Sequence, residues 1–65
     1  MVRINGTDVN AAGMTLAAYV DQAGFVQQHI AVERNGSIVP RGTYDTVTLA
    51  DGDTIEIVHF VGGGC

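Results

Sequence analysis

The sequence predicts an α+β fold: a mixed sheet of four to five strands, one helix packed on one face, and a flexible C-terminal glycine tail. Three observations predict it. Short segments that alternate apolar and polar residues, punctuated by Asn-Gly dipeptides, have the pattern of strands joined by tight turns. One segment, from about Leu16 to Ala23, follows the helical period instead. Strands come both before and after it, so the helix has a sheet face to cover.

Each element has its own signals. Val2-Arg3-Ile4-Asn5 alternates as a half-buried strand does, and Asn5-Gly6 turns it into a second strand near Thr7 to Asn10. Thr15 is placed to cap the helix, and Met14, one position earlier, to staple onto Tyr19. Leu16, Tyr19, Val20 and Ala23 recur at i, i+3, i+4 and i+7 as one apolar stripe. Gly24 supplies a left-handed C-terminal cap, with Phe25 folding back on Val20. Ile30 to Arg34 is a third strand with Ile30 and Val32 facing inward, and Asn35-Gly36 returns it as Ser37-Ile38-Val39. Pro40 ends that pairing because it has no N–H. Arg41 to Thr46 is an irregular or single-turn connection, and Asp51-Gly52-Asp53 is a turn. Thr54 to Val61 is the last and longest strand, with Ile55 and Ile57 on the core side of Glu56. This order is that of a β-grasp, in which the first and last strands lie side by side in the sheet centre. Residues 1–61 are expected to form the folded domain and 62–65 the tail.

Composition narrows the function. A chain of 65 residues buries only about 60% of its unfolded surface, which suits a carrier or adaptor better than an enclosed catalyst. Seven acidic and three basic residues give a net charge of −4, which argues against a nucleic-acid partner and for one with a basic docking surface. There is no lysine, so no lysine acceptor for side-chain amide linkage. The single cysteine cannot form an internal disulfide, as expected of a reducing compartment. No secretory leader is visible, and no apolar run approaches the roughly 20 residues of a membrane span. These features predict a cytoplasmic protein with no membrane partner.

The chemistry is expected at Gly62-Gly63-Gly64-Cys65. Glycine has no Cβ and the largest entropy loss on ordering, so such a run resists packing. Four extended residues reach roughly 13 Å, enough to pass a terminal group into a narrow enzyme channel that side chains would obstruct. Frayed glycine-rich termini are common without any purpose, but this one leaves the final strand of a β-grasp.

Taken together, Asn5-Gly6, the run Asn35-Gly36-Ser37-Ile38-Val39-Pro40-Arg41, the turn Leu49-Ala50-Asp51-Gly52-Asp53, Ile55-Glu56-Ile57-Val58 and Gly63-Gly64 resemble the ThiS/MoaD family of ubiquitin-like sulfur carriers. The resemblance covers residues 1 to 64. The Ile-Val-Pro-Arg stretch, the Asp-Gly-Asp turn and the short length favour its thiamine branch, ThiS, over its molybdopterin branch, MoaD. It implies a protein co-substrate, not an enzyme, with no bound cofactor. A ThiF-like enzyme using ATP and magnesium would adenylate the Gly64 carboxylate. A persulfide donor would then displace AMP to leave a thiocarboxylate, which a ThiG-like thiazole synthase would use to build the thiazole ring of thiamine. The alternatives are delivery to molybdopterin or another thiolated metabolite, and, from a different class, a ubiquitin-like modifier.

Cys65 departs from the pattern, because Gly64 in amide linkage cannot be adenylated. A processing protease could remove Cys65; Cys65 could itself carry a persulfide, which its own carboxylate would oppose by repelling the thiolate; or it is a residue added in cloning. Val58 and Phe60 are expected on the outer sheet face beside the tail, as a patch for the adenylating enzyme. Arg41 is expected to pair with an acidic group on a partner or with Asp45 in its own loop, the local pair being preferred. His29 and His59 lie far apart in sequence and make a poor metal set, and Asp51 and Asp53 read as turn formers rather than an acid–base pair.

Overall fold

Two Asn-Gly dipeptides set the sheet. Asn5 and Asn35 both sit at φ 51°, followed by Gly6 at 83° and Gly36 at 87°, the consecutive positive values that a two-residue I′ hairpin loop requires. In the computed structural model, which describes residues 1–60, the first joins β1 (Val2–Ile4) to β2 (Thr7–Val9). The second joins β3 (Ile30–Arg34) to β4 (Ser37–Ile38). The last strand, β5 (Thr54–His59), slots between the two hairpins. The sheet order is β2-β1-β5-β3-β4, with β5 parallel to β1 and antiparallel to β3. The first and last strands are therefore neighbours, as the β-grasp order predicts.

The helix, α1 (Leu16–Gln22), has its ends satisfied by named groups. Thr15 Oγ1 accepts from the Ala18 N–H at 3.1 Å. The Leu16 and Ala17 N–H groups donate to the carbonyls of Val47 and Tyr44 at 2.8 and 2.9 Å. Three of the four donors that a helix start leaves without internal partners, those of Leu16, Ala17 and Ala18, are thus bonded. At the other end Gly24, at φ 88°, lets its N–H reach the Asp21 carbonyl and the Phe25 N–H reach the Val20 carbonyl, which is a Schellman closure. Ala23 is the C-cap and is exposed, so it does not extend the apolar stripe: Gly24 turns the chain away first.

Alternation divides the sheet residues between two faces. Val2, Ile4, Ile30, Val32, Ile55 and Ile57 point at Leu16 and Val20, and all eight are buried. Fully burying a side chain of this size contributes about 1.5–3 kcal/mol. The long connection after β4 closes the core. Its 3₁₀ turn, Arg41–Thr43, leads into Tyr44, which is 2% exposed, and on to Leu49 at 1%; neither was evident as a core residue from periodicity. Some boundaries differ from expectation. The strands β1, β2 and β4 each stop one residue early, although the Val39 N–H still bonds the Val32 carbonyl at 2.9 Å. The last strand ends at His59, with the Phe60 N–H still donating to the His29 carbonyl at 3.0 Å. The expected tail, Gly62, Gly63, Gly64 and Cys65, lies outside the described residues, as does Val61.

Candidate functional site

The strand that leads to the glycine run is held from both sides by the asparagines of the two turns. On the β1 side, Asn5 continues the ladder with its side chain. Its backbone N–H donates to the Ile55 carbonyl at 2.9 Å, its Oδ1 accepts from the Ile57 N–H at 2.8 Å, and its Nδ2 donates to the Ile57 carbonyl at 3.2 Å. On the β3 side, Asn35 exchanges two bonds with Thr54, through its backbone N–H at 2.8 Å and its Oδ1 at 2.9 Å. Its Nδ2 donates to Asp53 Oδ1 at 3.1 Å. Sequence reasoning found these dipeptides as turns but missed the second task of their side chains.

Asp53, read as a turn former, also closes a buried network. Its Oδ2 accepts from Arg34 Nε at 3.0 Å and from the Ala50 N–H at 2.9 Å, and pairs with the second Arg34 nitrogen at 2.9 Å. Burial alone would raise its pKa, but the Ala50 N–H, the Asn35 amide and the Arg34 guanidinium outweigh that and hold it below the usual carboxylate value.

At the far end of β5 the structure places the expected docking residues differently from one another. Val58 lies on the helix-free face, opposite Ala31, and is 56% exposed. Phe60 is half-buried, with the Arg41 guanidinium 5.7 Å from its ring centroid, within cation–π range. Arg41 does not pair with Asp45. It donates instead to the Gln27 carbonyl at 2.9 Å and the Ile30 carbonyl at 3.0 Å, because the connection after β4 carries it over the start of β3. His29 and His59, distant in sequence, come together edge to face with ring centroids 6.2 Å apart, since Ile30 pairs with His59 across the strands. Among the described residues no group of three or more His, Cys, Asp or Glu is placed to hold a metal.

A groove of about 420 Å³ lies beside the C-terminal end of α1, lined by Val20, Asp21, Phe25, Val26, Gln27 and Gln28. It brings together no nucleophile and base. Among the described residues the arrangement presents a strand end braced from both sides. No helix among the described residues is long and apolar enough to cross a membrane.

Comparison with known proteins matches the model of the ThiS family to residues 2–64. The sulfur carrier protein ThiS of Bacillus subtilis is 41% identical over 66 residues, covering 98% of this chain and all of that one. Proteins called thiazole synthase from Magnetococcus marinus and Paramagnetospirillum magneticum are 48% and 47% identical. The chain spans only 20% and 19% of their lengths. The crystal structure of a thiamine biosynthesis protein, ThiS, from Geobacter metallireducens is 30% identical, superposes with a TM-score of 0.76 and covers 97% of each chain.

Proposed function

The chain belongs to the ThiS family, and from that premise we propose that it carries sulfur for thiazole formation in thiamine biosynthesis as a thiocarboxylate on Gly64. One observation carries the reading most directly: the family match runs through Gly64 and stops short of Cys65. The bond between Gly64 and Cys65 must be hydrolysed first, which is work for a protease. The freed carboxylate attacks the α-phosphorus of ATP on a ThiF-like, magnesium-using enzyme and displaces pyrophosphate. The acyl-adenylate has a good leaving group where the carboxylate had none. The outer sulfur of a persulfide donor then displaces AMP, with one carboxylate oxygen leaving on the phosphate, and a second thiol cleaves the resulting acyl disulfide, which releases the thiocarboxylate and leaves the donor as a disulfide. A thiazole synthase is the acceptor; two relatives bearing that name contain a stretch like this chain. In this scheme the chain is a co-substrate, and the apolar positions Val58 and Phe60 contribute to docking of the adenylating enzyme.

The test is to incubate the chain with an extract of its own host as the source of the protease, then with ATP, magnesium, the adenylating enzyme of the same genome, a persulfide donor and a reducing thiol, and to measure intact mass. Loss of the cysteine with exchange of one oxygen for sulfur, and no adducts on other proteins, is the expected result. Adducts on other proteins would establish a modifier instead. A retained Cys65 bearing an extra sulfur would move the chemistry to the thiol.

A further inference from the structure

The helix-free face of the sheet carries an arrangement that the fold itself does not need. Glu33 on β3 and Glu56 on β5 stand directly opposite each other in the antiparallel register, and both are exposed. Like charges so paired repel. Among the described residues no arginine relieves them. Arg3 faces Asp8, Arg34 is bound to Asp53, and Arg41 is spent on two carbonyls and the Phe60 ring. Apolar groups flank the two carboxylates on the same face. Ile38 pairs with Glu33 in the register and is 66% exposed, and Val58, two pairs further along and so on the same face, is 56% exposed.

We propose that this face, centred on Glu33 and Glu56, docks the adenylating enzyme by seating one of that enzyme's basic side chains between the two carboxylates. The inference rests on the sulfur-carrier reading and adds the polar anchor to it. Charge complementarity selects the occupant. A pair of uncompensated acids on a chain of net charge −4 attracts a cation and repels a second copy of this chain. Ile38 and Val58 then shield the new ion pair from water, which strengthens it. Val58 lies only six positions before Gly64, so an enzyme gripping this face meets the tail as the chain leaves the sheet.

The test is a titration of the intact chain and of Glu33→Gln/Glu56→Gln against the purified adenylating enzyme of the same genome, at low and moderate salt, with a thermal melt of each. The variant is expected to bind about tenfold more weakly or worse, with a flatter salt dependence. Its own melting temperature should stay level or rise, because the repulsion is gone. A Kd within about twofold of the parent, or an unaltered salt dependence, overturns the proposal. So does sedimentation showing this face closed in a dimer. Thiocarboxylate formation by the parent chain, after cleavage at Cys65 in host extract, is read in parallel. If product forms while the variant binds as well as the parent, this surface is wrong and the carrier reading stands; if neither protein binds, both fall.

Discussion

Asp53 is the one buried carboxylate among the described residues, and its four polar contacts fix where β5 begins. Its ionised form is favoured in the fold despite burial, so its folded pKa lies below the usual aspartate value. The sign follows from that depression. The stabilisation is complete above the unfolded value near 3.9 and is lost as pH falls through the lower folded value. Asp53→Asn should therefore cost about 1–3 kcal/mol at neutral pH, since Arg34 and the Ala50 N–H lose a charged acceptor. The gap between parent and variant should narrow in urea unfolding repeated near pH 3. Asn5 allows a finer test. Asn5→Asp keeps the shape, the tolerance of positive φ and the acceptor for the Ile57 N–H. It replaces the donor to the Ile57 carbonyl with a second acceptor. A loss of about 1–2 kcal/mol in the urea midpoint is expected; no loss would mean that the long 3.2 Å bond contributes nothing.

At the scale of elements, α1 is only seven residues long, too short to persist in isolation, so its caps and its contacts to the chain between β4 and β5 hold it. Gly24→Ala isolates one of these supports. A Cβ built at Gly24 meets nothing within 4 Å, which leaves only the backbone cost of φ 88°, about 1 kcal/mol. For a domain of this size that lowers the melting temperature by roughly 4–8 °C, readable by circular dichroism. The same helix marks what was legible in the sequence. Thr15, the Leu16–Val20 stripe and Gly24 signal through neighbours within five residues, and so do both Asn-Gly turns and the inward alternation of β3 and β5. Tyr44 gives no such signal, because its burial depends on a connection folding under the helix start. The Arg34–Asp53 pair, the Asn5 bonds to Ile57 and the meeting of His29 with His59 join residues 19, 52 and 30 positions apart, where no period operates. The expected Arg41–Asp45 pair failed for the same reason: proximity in sequence lost to two carbonyls and an aromatic ring supplied by the fold. The expected outer-face position of Val58 was readable from alternation alone, whereas its acidic neighbours gained their meaning only from the register.

For the molecule as a whole, folding and chemistry are assigned to different parts of the chain. The core, the hairpins and the Arg34–Asp53 ion pair lie within residues 1–60, and the proposed acyl group belongs to Gly64. Such a division makes a sharp demand on the tail. Threading an enzyme channel requires a slender chain, and even one branched side chain adds both width and restricted φ/ψ. Gly63→Val should leave the melting temperature within about 1 °C of the parent, because the hydrophobic core among the described residues is built from positions 2 to 57. It should cut the rate of thiocarboxylate formation at least tenfold, since misplacing a reacting group by about 1 Å costs as much as a hundredfold. Binding to the adenylating enzyme should change far less, because the grip on the sheet face is untouched. A single series therefore reads three quantities on one variant: melting temperature, Kd and product formation by mass spectrometry. A tail that tolerated valine with full product yield would place the acyl group outside any narrow channel and remove the reason for three successive glycines.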